Sequence, residues 1–109
     1  MPPVRRDLSL AVGADTTPEE LGDALRSALA ERAGDVESVE LLAETAYAEV
    51  PAHARERLGM RPGQKNALLR VTLRALDRSL THAECNQLRD AIYAALHRGT
   101  RFEWAAPRA

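Results

Sequence analysis

Apolar and polar residues alternate in two segments of this chain, a pattern typical of half-buried β-strands. The first segment runs from about Arg6 to Val12, and the second, which has the cleaner pattern, runs from Asn66 to Leu76. A third segment, from Val36 to Val50, loses its alternation at Leu41–Leu42, where we expect a bulge or a twist. The sequence therefore predicts three strands, with a short fourth strand expected at Thr100–Trp104.

Two further segments have the apolar spacing and the start signals of amphipathic helices. Thr17 precedes Pro18 and lies three residues before Glu20, which forms a capping box, and Thr81 with Glu84 forms a second one. Glycines are expected to end the two helices, at Gly34 and at Gly99. Both periodicities together predict a buried core that contains Leu8, Leu10, Leu25, Leu69, Val71, Leu73, Leu88 and Ile92.

The predicted element order is β-α-β-β-α-β, with a long connection at 51–64 that has room for one helical turn at Ala54–Leu58. Two β-α-β units with right-handed crossovers form a ferredoxin-like sandwich, which is an α+β fold. We therefore expect a four-stranded antiparallel sheet with two helices on one face. The length of 109 residues fits a single domain, 1–109, with its core at about 4–104.

The net charge of −1 conceals an uneven distribution of charge along the chain. Ten acidic residues and only two arginines lie between Asp15 and Glu49, whereas seven basic and two acidic residues lie between Pro51 and Arg78. Fourteen of the fifteen basic residues are arginine, whose planar group suits contacts with phosphates and bases. This asymmetry is compatible with an anionic partner and equally with an ordinary solvated surface.

The sequence lacks the patterns that common catalytic sites require. We find no nucleophile elbow, phosphate-binding loop or dinucleotide-binding glycine pattern. His82 and Cys85 have a spacing that could bind a metal, but no further ligand is near them in sequence, so we expect no metal, no cofactor and a buried Cys85. A single cysteine and the absence of a secretory signal or an apolar span predict a cytoplasmic protein without membrane contact.

Several motifs in this chain occur in the order and at the spacing of a known family. They are Arg6-Asp7 at the first strand, Gly63-Gln64-Lys65-Asn66 before the third, and Asp77-Arg78-Ser79-Leu80-Thr81 before a helix with Glu84 and Asn86. In these motifs the chain resembles the ferredoxin-fold anticodon-binding (FDX-ACB) domain, which ends the β subunit of bacterial phenylalanyl-tRNA synthetase. Ala43 and Thr45 stand where the family often has Asp and Tyr, and Tyr47 follows two residues later. Both a synthetase fragment and a free-standing paralogue fit this resemblance, and the MPP start and PRA end favour the paralogue.

The resemblance implies binding to a tRNA anticodon stem-loop and no aminoacylation chemistry in this domain. Possible partners are a tRNA, a synthetase core or another protein. Alternatives are a protein-interaction or assembly domain, a small-molecule-sensing domain that has lost RNA binding, and an acylphosphatase-like enzyme, against which the reduced loop Val12–Asp15 argues. We expect the RNA-facing residues to be Arg5, Arg6, Tyr47, Arg61, Lys65, Arg70 and Arg74. Pairing of Arg70 and Arg74 with Glu40 or Glu44 across the sheet would instead make these two arginines structural.

Overall fold

The computed structural model describes residues 2–75 and 77–101 and shows an α+β fold. Within these residues there are three strands and three α-helices. In chain order they are β1 (Val4–Gly13), α1 (Pro18–Leu29), β2 (Val36–Ala46), α2 (Ala52–Leu58), β3 (Gln64–Leu73) and α3 (His82–Leu96). Short 3-10 turns follow α1 and β2.

β3 is the central strand of the sheet, whose order is β1-β3-β2 within the described residues. It pairs antiparallel with both neighbours, so β1 and β2 run parallel to each other. The expected irregularity of β2 is confirmed, because its register shifts between Leu41 and Ala43, and a second shift lies between Val36 and Ser38. Each shift changes which face of the sheet the following β2 residues occupy.

The main core lies between one face of this sheet and the helices α1 and α3. Each helix begins with the predicted capping box, in which the side chain of Thr17 or Thr81 accepts a hydrogen bond from the third helical amide. All eight residues predicted to form the core are at most 1% exposed, and Cys85 is buried among them. The alternation along β1 and β3 therefore identified the face that the helices cover.

A second, smaller core lies on the opposite face of the sheet. It consists of Ala11 from β1, Val50, and Leu58 and Met60 at the end of α2. Gly59 ends α2 in the left-handed conformation, with φ of 66°, and a Cβ there would collide with Thr100. The connection expected to hold one helical turn thus forms a seven-residue helix that covers one end of this face.

The segment that follows α3 is fixed by His97, which is 1% exposed. The Ala11 amide donates to Nδ1 of His97 at 3.0 Å, and the Arg98 amide donates to the Ala11 carbonyl at 2.7 Å. Because Nδ1 accepts, the proton of the neutral ring is on Nε2, which lies 3.1 Å from the Leu58 carbonyl and 2.7 Å from the Arg101 carbonyl. One imidazole thus connects the edge of β1 to α2 and to residues 98–101.

Several predicted boundaries were wrong, among them the end of the third strand, which is Leu73 rather than Leu76, and the described residues contain three strands rather than the predicted four. α1 ends at Leu29 rather than Gly34, because Ala30 adopts a φ of 51° and a 3-10 turn follows, and α3 ends at Leu96 rather than Gly99. β2 ends at Ala46 rather than Val50. In place of the predicted fourth strand, Thr100 and Arg101 belong to no strand, since the Thr100 amide bonds to the Gly59 carbonyl at 3.0 Å. The rest of that prediction, 102–104, lies outside the described residues.

Truncation of a core leucine on β3 tests the main core. Leu69→Ala and Leu73→Ala should each lower the free energy of unfolding by about 2–5 kcal/mol, because each leaves a cavity between sheet and helices. Leu42→Ala is the matched control, since Leu42 is 40% exposed and the same change there should cost less than about 0.5 kcal/mol. Urea denaturation measures all three, and equal losses at Leu69 and Leu42 would contradict the assigned faces.

Loss of the His97 imidazole tests the connection between β1, α2 and residues 98–101. His97→Ala should lower the free energy of unfolding by about 1–3 kcal/mol or more, because it leaves the buried Ala11 amide and the buried Leu58 carbonyl without their partner. His53→Ala provides the control, since His53 is an exposed histidine on α2 and its loss should be nearly neutral. If the two variants unfold at the same urea concentration, His97 does not hold these elements together.

Candidate nucleic-acid interface

The seven residues predicted to face RNA do not form one patch. Arg5, Arg70 and Arg74 lie along the face of the sheet that carries no α1 or α3 contacts, which we call the open face. Arg6 and Lys65 lie on the opposite, helix-covered face. Arg61 and Tyr47 lie beside α2. The structure therefore divides the predicted interface among three surfaces.

Two arginines of the open face, Arg70 and Arg74, lie beside carboxylates. Arg70 donates to both carboxylate oxygens of Asp7, the residue paired with it on β1, at 2.9 and 3.1 Å. Arg74 lies just beyond β3, with its Nε 3.3 Å from a carboxylate oxygen of Glu37. The alternative that Arg70 and Arg74 pair with carboxylates across the sheet is thus correct. The carboxylates are those of Asp7 and Glu37, however, and not those of Glu40 and Glu44.

The Arg70–Asp7 pair changes the titration of both groups. The hydrogen bond from Arg70, assisted by its charge and opposed by burial, lowers the pKa of Asp7. The hydrogen bond and the charge of Asp7 in turn raise the pKa of Arg70. Both side chains are more than a third exposed, so the pair adds little to stability and Arg70 can exchange Asp7 for another anion.

Lys65 and Arg6 have structural contacts on the helix-covered face. The Nζ of Lys65 donates to the Thr16 carbonyl at 2.8 Å and pairs with Glu44, which the register shift in β2 brings to the same face. Arg6 reaches the first turns of α3, where its guanidinium lies 3.5 Å from the side chain of Asn86 and 3.4 Å from that of His82. These contacts direct both cations away from the open face.

Arg61 and Tyr47 line an open groove of about 460 Å³ between α2 and the segment after α3. Arg61 donates to the carbonyl of Arg98 at 3.1 Å, so it also supports that segment. The guanidinium carbon of Arg55 lies 4.8 Å above the centre of the Tyr47 ring. Arg101 lines the groove from the opposite side, and Glu56 is the acidic residue among the lining residues.

Arg55 and Arg101 were not among the predicted site residues. The indication of Arg55 in the sequence was weak, because this residue merely lies in the arginine-rich connection, eight residues after Tyr47. Its position above the Tyr47 ring depends on α2, which was predicted only as a single helical turn. Arg101 was assigned to a strand. No pattern in the sequence indicated that His97 would bring residues 98–101 beside α2.

Metal-binding clusters and membrane-spanning helices are both absent from the described part of the chain. No group of three or more histidine, cysteine or acidic side chains among residues 2–75 and 77–101 could hold a metal ion. No helix in those ranges is long and apolar enough to cross a membrane.

The sequence is similar to one region of a known synthetase subunit. Over 91 residues, or 84% of the chain, it is 36% identical to the phenylalanine–tRNA ligase beta subunit of Thermosynechococcus vestitus. The chain spans only 10% of the length of that subunit. No protein-family model matches the chain. The similarity therefore relates this chain to a small part of a phenylalanine–tRNA ligase beta subunit.

Proposed function

We propose that this chain is a ferredoxin-like module that binds the anticodon stem-loop of a tRNA, corresponding to the FDX-ACB domain that the sequence resembles. The observation that carries the proposal is the 36% identity to a phenylalanine–tRNA ligase beta subunit over 84% of this chain. A subunit of a tRNA ligase has tRNA as a partner, and a region covering one tenth of it has the size of a single domain.

The arrangement of the described elements supports this proposal. A central β3 between parallel β1 and β2, with α1 and α3 on one face, is the arrangement of the first three strands of a ferredoxin-like sandwich. In the complete sandwich, a fourth strand pairs with the remaining edge of β1. Such a fold leaves one sheet face open to a ligand.

Arg5, Arg70 and Arg74 are the proposed RNA contacts on that open face. An RNA phosphate can replace Asp7 or Glu37 as the partner of a guanidinium, since a guanidinium can form similar two-oxygen contacts with phosphate and with carboxylate. The exchange costs little because the existing pairs are exposed. Of the remaining predicted contacts, Tyr47 and Arg61 lie beside α2, whereas Arg6 and Lys65 would require their side chains to leave the helix-covered face.

The proposed module is non-catalytic by itself and needs no metal or other cofactor. Its residues would position a tRNA, while any aminoacylation would be performed by a synthetase core, either on the same polypeptide or as a separate partner. The proposed location is the cytoplasm, where tRNA ligases meet their substrates. Contact with a membrane has no part in this function.

A protein-interaction or assembly domain is the second candidate function, and one feature of the structure favours it. The carboxylates beside Arg70 and Arg74 leave the open face with little excess positive charge. Leu42 is exposed at the bulge of β2, which is an edge strand within the described residues, and edge strands can pair with a second chain.

Titration with unfractionated tRNA at low salt tests the proposal. The chain should bind at micromolar concentration or tighter, and the affinity should fall steeply as salt rises, because phosphate contacts release counterions. Arg70→Ala combined with Arg74→Ala should weaken binding by about tenfold or more, which corresponds to roughly 1.4 kcal/mol, while thermal unfolding shows an intact fold. Absence of binding by the wild-type chain would refute the proposal and favour the assembly function.

A further inference from the structure

The end of the molecule that contains α2 has an excess of positive charge without carboxylate partners among the described residues. Residues 47–61 and 98–101 together contain five arginines and two glutamates. All five ion pairs among residues 2–75 and 77–101 lie elsewhere, so none of these five arginines is neutralised by a carboxylate there. This separates them from Arg70 and Arg74, whose charge is already compensated.

The groove beside α2 concentrates three of these arginines around a single cavity. Arg55 and Arg61 line it from α2 and the following loop, and Arg101 lines it from the segment after α3. Glu56 is the single carboxylate in the lining, so the groove retains a net positive charge. Its volume of about 460 Å³ is in the range of sites that hold a small organic group, about 300–1,000 Å³.

The chemistry of the groove fits a nucleotide better than an acidic side chain. Tyr47 and the guanidinium of Arg55, 4.8 Å apart, provide planar surfaces, and Arg61 and Arg101 provide charge. Proteins that bind single-stranded RNA combine these two elements, because bases stack on aromatic or guanidinium planes while basic groups contact the phosphates. An acidic peptide would use the charge but leave the planar surfaces without a partner.

The two walls of the groove are joined by hydrogen bonds that involve neither the tyrosine side chain nor the arginine side chains of the groove. His97 joins its two walls through the carbonyls of Leu58 and Arg101, and the Thr100 amide adds a hydrogen bond to Gly59. A site whose walls are fixed loses less conformational entropy when a ligand binds. The arginines can therefore act on a ligand without first ordering the loop that carries them.

We infer that the groove formed by Tyr47, Arg55, Arg61 and Arg101 binds a single-stranded nucleotide of the RNA ligand, as a second contact region in addition to the open face. This inference rests on the proposed tRNA-binding function and names a site for it. The guanidinium of Arg55, which lies over the Tyr47 ring, stacks against the base with its other face, and Arg61 and Arg101 contact the phosphates. The groove adjoins the Gln64 end of β3, and Arg74 lies just beyond the other end, about 30 Å away along the strand.

The test compares two double variants of the full chain in titrations with unfractionated tRNA at several salt concentrations. Arg55→Ala with Arg101→Ala removes two groove arginines and leaves the Arg61 hydrogen bond to Arg98 intact. Alanine maintains α2, since it is the best helix former. The matched control is Arg26→Ala with Arg32→Ala, which removes two exposed arginines at the end of α1 and in the turn before β2. The groove lies beyond the other end of β2. The control therefore removes the same amount of positive charge as the groove variant, but at a site far from the groove.

The inference predicts that the groove variant binds tRNA about tenfold or more weakly, and that its salt slope falls by about 0.7–0.9 for each lost phosphate contact. The control should stay within about twofold of the wild type, and thermal unfolding should show both variants folded. If the groove variant and the control lost tRNA affinity equally, the inference would be overturned, because the change in net charge alone would then account for the weaker binding. The inference would also be overturned if the groove variant bound tRNA as tightly as the wild type while Arg70→Ala/Arg74→Ala bound it more weakly. That result would leave the proposed function standing. A wild-type chain that binds no tRNA would overturn both.

Discussion

The antiparallel pairing of β3 with both neighbouring strands is the constraint on which the rest of the structure depends. Since β3 is hydrogen-bonded on both sides, its register fixes which residues of β1 and β2 share each face. Leu69, Val71 and Leu73 then face α1 and α3, and Arg70 faces away from them, beside Asp7. A shift by one residue would bury Arg70 without a partner, a cost that no exposed ion pair could offset.

The same constraint explains why the positive charge of the sequence is so unevenly available for binding. Lys65, Arg70 and Arg74 each lie beside a carboxylate of a neighbouring strand, so the sheet neutralises these three cations. The arginines near α2 lie outside the sheet, on a helix and in loops that no acidic strand borders. The connection between β2 and β3 therefore has two roles in this account, because it covers Ala11 with a small core and presents unpaired arginines to solvent.

The sequence predicted well those features that depend on local periodicity. The core positions, both capping boxes and the bulge near Leu41–Leu42 follow from spacing along a single strand or helix. Features that depend on long-range contacts were missed. His97 is 86 residues from its partner Ala11, and no local pattern indicates which backbone groups a histidine will join.

Prediction of the interface had the same limit. Alternation correctly placed Arg70 on the face opposite Leu69, but the partners of Arg70 and Arg74 depend on the register and on two shifts in β2. Lys65 has the same strand parity as Ala67 and therefore lies on the helix-covered face, a consequence of the alternation that charge-based reasoning overlooked. The groove could not be predicted at all, since its two walls are separated by about 40 residues and are joined through His97.

Chemical-shift mapping of backbone amides is the most direct test of whether this chain binds RNA through the surfaces described. The isotope-labelled chain would be titrated with an anticodon stem-loop RNA and compared with the free protein. The account predicts shifts concentrated at Tyr47, Arg55, Gly59 and Arg101, and along the open face at Arg5, Arg70 and Arg74, with the exposed side of α1 unchanged. A spectrum that does not change, or shifts confined to α1 and α3, would contradict it.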